Sequence, residues 1–336
     1  MESSATIWGI MAENIGILLV NTGTPDEPTP NAVRRYLAQF LSDPRVIEFP
    51  RWLWLPILHG IILRVRPRRS ARLYQRVWDE RGSPLLYHTQ DLAEKLQDAL
   101  RTEITEANVH IAVGMRYGNP SIESALDELR QNGATHLFIL PLFPQYSDTT
   151  GGTIIKAVFD VLKRWRWVPG VQVLSDYHEH HAYIHAVAER MRAHWTENPR
   201  AEKLLFSFHG IPQEYVEKGD PYEAQCLRSA ALIADELGLK EGAWQAVFQS
   251  RFGPQEWLQP YTDERLEELG SENLASLDVV CPGFAVDCLE TVDEIGHEGR
   301  SEFQEAGGGE FRYIPALNAT DFHVTALQKI ILEKVC

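Results

Sequence analysis

Three stretches of this 336-residue chain place reactive side chains at spacings that chemistry can use. The first is KLLFSFHGIP, where His209 follows an apolar, strand-like run and Gly210 allows close approach of a ligand. A histidine at a strand end is either structural or aimed into a cleft. The second is CPGFAVDCLETVDEIGHEGRSEF, where Glu290, Glu294 and Glu298 stand at i, i+4 and i+8. On a helix they share one face about a turn apart, and like charges at that spacing repel. Such a row is either a solvated acidic face or a ladder of hard oxygen ligands. A ladder would pass a divalent cation inward to where Glu290 meets His209, and one imidazole with one carboxylate suits Fe²⁺ that must later be released. The third is Tyr177-His178-Glu179-His180-His181, with His185 four residues on; near a helix start these read as ordinary surface residues rather than a metal site.

The elements that must position these groups follow from patterning. Short apolar, β-branched runs alternate with stretches of helical period, which predicts a parallel α/β sheet buried on both faces. One set of strands is expected at Gly16–Val20, Val109–Val113 and His136–Leu142. A second set is expected at Val171–Leu174, Leu204–Phe208, Ala246–Gln249, Leu277–Cys281 and Phe311–Ile314. Between them, helices are predicted from Thr29 as N-cap with Pro30 at the first helical position, then at Asp91–Arg101, Ser121–Arg130, Thr153–Arg164, Ala182–His194, Pro221–Leu237, Ala285–Glu305 and Ala319–Val335. RWRWVPG, Arg164–Gly170, breaks the alternation as the seam between two halves of similar rhythm. The fold class predicted is α/β, two similar Rossmann-like doubly wound domains with parallel sheets, assigned to residues 12–155 and 156–317. The active site would lie in the cleft between them, beyond the carboxyl ends of the strands. No G-x-G-x-x-G and no G-x-x-x-x-G-K-[ST] occurs, which argues against dinucleotide and nucleoside triphosphate chemistry.

Composition narrows the partners. Apolar residues are 44% and charged residues 24% of the chain, as in ordinary globular proteins. Asp plus Glu is 47 against Lys plus Arg at 32, and a net charge of −15 is unsuited to nucleic acid. The cysteines at 226, 281, 288 and 336 include no C-x-x-C pair, so a reducing, cytoplasmic setting is expected. MESSATIWGIMAEN carries two acids and no Lys or Arg, which fits no leader, and Met11 is an alternative start. LWLPILHGIIL, Leu53–Leu63, is about half the roughly 20 residues of a membrane span. With Arg51 before it and Arg64, Arg66, Arg68 and Arg69 after it, this stretch reads either as a buried helix with a basic end or as an apolar lip beside a basic collar. Such a lip suits a greasy, carboxylate-bearing ligand or peripheral contact with the inner face of a membrane.

From LLVNTGTPDEPTPNAVRRYLAQFLSD through GMRYGNPSIESAL, ILPLFPQYSDTTGG, LLFSFHGIPQEY, FQSRFGPQEWLQPYTDE and CPGFAVDCLETVDEI to YIPALNAT, the chain resembles the ferrochelatase family, over residues 15 to 335 and in order. The resemblance implies a lyase of haem and porphyrin biosynthesis that inserts Fe²⁺ into protoporphyrin IX with release of two protons. It implies His209 and Glu290 as catalytic pair and iron ligands, with Asp287, Glu294 and Glu298 as an accessory acidic path on a helix distorted toward π geometry. Thr22, Arg116, Tyr117, Tyr146, Ser147, Trp257 and Phe284 would surround the macrocycle, the 52–63 stretch would form its lip, and the helix in 318–336 would pack back on the first domain. No permanently bound cofactor is expected, Fe²⁺ being a substrate. With Cys336 alone at the C-terminus, no [2Fe–2S] cluster is expected either. Cys288 stands where some relatives carry His. The alternatives are a chelatase for coproporphyrin or sirohydrochlorin, or a non-catalytic haem-binding protein on the same fold.

Overall fold

A computed structural model describes residues 14–105 and 107–335. Met11, Cys336 and the start of the first expected domain lie outside the described residues. In the first half, β1 (Asn14–Thr24) leads to α1 (Pro30–Leu41), α2 (Arg51–Ile57), a π turn at Leu58–Ile62, α3 (Leu63–Val77) and α4 (Pro84–Glu103). Then come β2 (Asn108–Gly118), α5 (Ile122–Gln131), β3 (His136–Pro141), a π turn at Asp148–Gly152, α6 (Thr153–Leu162) and β4 (Gly170–Val173). After α7 (His181–Glu197), the second half runs β5 (Lys203–His209), α8 (Gln213–Glu217), α9 (Tyr222–Glu236), β6 (Trp244–Gln249), α10 (Thr262–Ser271) and β7 (Ser276–Val280). It closes with a π-helix at Glu290–Gly299, α11 (Arg300–Glu305), β8 (Glu310–Ile314) and α12 (Asp321–Val335).

The strands form two parallel four-stranded sheets, ordered β2-β1-β3-β4 and β6-β5-β7-β8. The second order is the first repeated four strands later, so the two halves are wound alike. Each sheet reverses its winding at its founding strand, β1 or β5, and loops there diverge to leave a crevice for ligands. β1 is buried from Ile15 to Asn21, as a strand covered on both faces must be. α1 starts as its punctuation requires, the Thr29 hydroxyl accepting from Ala32 N at 3.3 Å ahead of Pro30. One core runs between the sheets, joining Leu19, Leu96 and Phe138 of the first half to Tyr183, Phe206, Phe208 and Ile330. α12 packs against both α4 and α7.

The structure corrects several expectations. Residues 171–173 pair with β3 rather than joining the second set, so the first sheet extends past both the 155/156 boundary and the 164–170 seam. The break at RWRWVPG is the turn of an ordinary crossover, and the chain passes to the second sheet through α7. β1 and β2 continue through residues expected to be loop. Gly23 (φ +106°) pairs with Tyr117, where any Cβ would fall 1.8 Å from the Tyr117 carbonyl oxygen, so only glycine lets these strands stay paired. The helix expected at 285–305 starts later, after a turn; its first ten residues are π-helix, the distortion that the resemblance implied, and α11 completes it. The apolar stretch after Arg51 is likewise two helices broken by a π turn, with Pro56 and Pro67 inside them. Trp54, Leu58 and Leu63 point inward, while Trp52, Ile61 and Val65 are 75%, 61% and 70% exposed.

Candidate active site

A cavity of about 560 Å³ opens beyond the carboxyl ends of both sheets, within the size range of small-molecule sites. The first half contributes Thr22, Arg116, Tyr117 and Ser147, and the second contributes His209, Trp257, Phe284, Glu290, Glu294 and Glu298. Leu37, Leu73, Leu142 and Ile211 supply apolar wall.

His209 is the last residue of β5 and half-buried. Its Nδ1 lies 2.6 Å from the Gly210 carbonyl oxygen. A carbonyl only accepts, so Nδ1 carries a proton, which in the neutral tautomer leaves the lone pair on Nε2 for a metal or a proton. Glycine at 210 suits a tight spot, where a Cβ would come within 3.0 Å of the Gln249 carbonyl oxygen and 3.3 Å of the Trp257 ring.

The acid row stands on the π-helix, whose wider i→i+5 turns occur mostly at functional sites. Glu290 opens it, Glu294 lies deeper in the wall, and Glu298 is exposed at the rim. Burial, first, pushes the Glu294 carboxyl up to about 7, aided by the charges of Glu290 and Glu298 and opposed by a 2.5 Å hydrogen bond from Ser250 Oγ. Asp293, which spacing did not single out, also lines the cavity. It is buried, accepts from Arg76 at 2.8 Å, and is raised by burial against the pull of that guanidinium. Arg76 reaches Glu298 at 2.8 Å as well, so α3 is fastened to the π-helix at two carboxylates.

Two expected site residues, Asp287 and Tyr146, do not line the cavity. Asp287 is buried away from the cavity, its oxygens accepting from Tyr313 Oη at 2.5 Å, Thr291 Oγ1 at 3.1 Å, Ala316 N at 3.2 Å and Asn318 Nδ2 at 2.7 Å. These four hydrogen bonds hold the turn before the π-helix. Tyr146 is half-buried, its ring close against Gly151 and Gly152. Thr22, Arg116, Tyr117, Ser147, Trp257 and Phe284 line the cavity, several with their own tethers. Arg116 pairs with the buried Asp43, stacks 4.5 Å from the Tyr117 ring centroid, and shares Asp43 with Tyr117 Oη at 3.0 Å. Ser147 Oγ donates to Asp220 at 2.8 Å across the two halves, and Trp257 Nε1 donates to the Phe252 carbonyl at 2.9 Å.

Sequence reasoning missed Tyr36 and Tyr74, whose helical spacing marks them only as core; they line the cavity as buried phenols 6.5 Å apart. Of the basic collar, Arg66 and Arg69 reach the cavity, Arg66 lying 4.9 Å over the Phe252 ring. Cys288 stays in the wall, its thiol pushed well up by burial, first, and by the charge of Glu290, so it keeps its proton. The histidine run binds separate carboxylates, His178 to Asp176 at 2.7 Å, His180 to Glu333 at 3.0 Å and His185 to Glu236 at 3.1 Å. No group of three or more His, Cys, Asp or Glu poised to hold a metal occurs among the described residues.

Comparison with known proteins gives the family and the fold. A family model described as Ferrochelatase matches residues 14–335. A protein named Ferrochelatase from Thioalkalivibrio sulfidiphilus is 54% identical over 323 residues, covering 96% of this chain and 87% of the relative. Another from Nitrosococcus oceani is 52% identical over 321 residues, covering 96% and 87%. Among solved structures, SirB from Bacillus subtilis with Fe3+ superposes with a TM-score of 0.57 at 14% identity, over 95% of each chain. CbiX, the terminal enzyme for biosynthesis of siroheme in denitrifying bacteria, does so at 0.51 and 12%, over 96% of this chain and 100% of the other. At those identities the likeness is one of fold.

Proposed function

Because the chain belongs to the ferrochelatase family, and is therefore a lyase that inserts ferrous iron into a porphyrin in haem synthesis, we propose how its own residues perform that insertion. A free-base porphyrin carries two pyrrole N–H groups and offers two lone pairs, so two protons must leave as the metal enters. The observation that carries the mechanism is the meeting, in one cavity, of an imidazole with a free Nε2 lone pair and a carboxylate row that leads to the rim.

Iron enters along Glu298 and Glu294 to a position held by Glu290 and His209 Nε2. As it passes into the ring, the two pyrrole protons replace it on the same groups, giving an imidazolium and a neutral carboxyl. One Fe²⁺ is exchanged for two protons, and charge balances because His209 gains one positive charge while Glu290 loses its negative one. The two roles of His209, ligand and base, are then successive. The Glu290 proton leaves outward along the row. Leu37, Leu73, Ile211, Trp257 and Phe284 hold the macrocycle by apolar contact, which offsets the strain of bending it so that pyrrole lone pairs face the metal. Arg66 and Arg69 meet its carboxylates.

Protoporphyrin IX, with two carboxylates, suits this apolar wall and exposed lip better than the four-carboxylate coproporphyrin, and a substrate panel tests that preference. The lip, with Trp52, Ile61 and Val65 turned to solvent beside Arg64 and Arg68, supports peripheral membrane contact; no helix among the described residues is long and apolar enough to cross a membrane. The deciding experiment is anaerobic, following porphyrin fluorescence with Fe²⁺. His209→Ala should lose at least about 100-fold in turnover with its fold intact. Glu290→Gln should lose turnover while binding porphyrin normally, and wild-type rates in either variant would remove that residue from the mechanism.

A further inference from the structure

The mechanism uses Glu290 and Glu294 but not the residues that grip them. β6 ends at Gln249, and Ser250 follows. Gln249 is buried, and its side-chain oxygen accepts from Ser207 Oγ at 2.8 Å, which lies 3.1 Å from the Thr262 hydroxyl. With the oxygen committed, the amide nitrogen is turned to the Glu290 carbonyl oxygen, 3.0 Å away. Ser250 sits at φ +68°, the left-handed region that side-chain-bearing residues occupy at a cost and glycine occupies freely. In that conformation its hydroxyl donates to Glu294 Oε2 at 2.5 Å. Strain of this kind persists where a side chain must be aimed.

We propose that Ser250 is a positioning residue for iron acquisition: it clamps Glu294 Oε2 so that Oε1 is the oxygen offered to the incoming ion, while Gln249 fixes the Glu290 end of the same helix. The proposal rests on the acid row being the route of the iron. Glycine relieves the strain in either case, but replacing a purely structural serine by glycine would leave iron affinity unchanged, whereas replacing a positioning serine would weaken it.

Steady-state kinetics with Fe²⁺ as the varied substrate separate these, alongside the porphyrin Kd by fluorescence quenching and the thermal midpoint. Ser250→Gly should raise the midpoint by about 2 °C yet raise the KM for Fe²⁺ about tenfold, the scale of one hydrogen bond to a charged group, with the porphyrin Kd unchanged. Ser250→Ala should raise that KM equally without the gain in stability. Glu294→Gln should raise it too, and the double variant Ser250→Ala/Glu294→Gln should match Glu294→Gln alone, because both act through one contact. A wild-type KM in Ser250→Gly, or additive effects in the double variant, overturns the proposal and leaves the acid row standing. A wild-type KM in Glu294→Gln overturns the row, and the role of Ser250 with it.

Discussion

Glu294 is held where a small change of pH changes its charge. Its carboxyl is raised to about 7 by burial, so it is neutral below that value and charged above it. Iron needs the charged form, and the KM for Fe²⁺ should therefore rise as pH falls through about 7, while in Glu294→Gln it should stay high and nearly flat. A wild-type KM that does not move across this window would take Glu294 off the route. His209 and Glu290 were legible in the sequence because one ends an apolar strand at a glycine and the other opens a regular acid row. Asp287 misled because its partners Tyr313, Ala316 and Asn318 come from a strand and a loop some thirty residues on, and spacing along one helix does not show them. Asp293 went unnoticed because it falls between the row's members, and only the partner Arg76, from the other half of the chain, reveals its direction.

Among the elements, most strands and helices could be read from periodicity, while the departures arose where one element leans on another. Strand β4 was assigned to the wrong sheet because a four-residue edge strand carries little pattern of its own, and pairing with β3 decides its membership. The π turns depend on tertiary contacts such as the Gln249 amide on the Glu290 carbonyl, which no local pattern encodes. α12 carries a titratable group in its buried face. His323 donates from Nδ1 to the Asn318 carbonyl at 2.6 Å, and burial lowers it from 6.5 to about 4. Below about 6.5 the unfolded chain binds a proton there that the folded one refuses, so stability falls from pH 6.5 toward 4, by roughly 3 kcal/mol in full. His323→Gln should lose less stability than wild type over that range in denaturant melts, and a gap between the two that is constant with pH would show that this imidazole is not the group responsible.

For the whole molecule, charge and shape pull in different directions. A chain of net charge −15 is repelled by an anionic bilayer, yet its lip gathers exposed Trp52, Ile61 and Val65 with Arg64 and Arg68. Binding to anionic vesicles should therefore depend on this one region. Trp52→Ser with Ile61→Ser should lower vesicle pelleting at least about fivefold, and unchanged pelleting would place the contact elsewhere or nowhere. The doubled α/β architecture was legible because the same strand rhythm occurs twice, whereas the place where one sheet gives way to the next was not, since a loop inside a crossover and a loop between sheets have the same composition.

The cavity takes residues from Asn21 to Glu298, and α12, which seats on α4 and α7, follows both sheets in the chain. During synthesis, a chain emerging N-terminus first completes β1–β4 long before the imidazole, the carboxylate row or the clasping last helix exists. The half-made protein thus presents only one wall to a passing macrocycle. A macrocycle therefore meets its complete set of contacts only once both halves of the chain have been made.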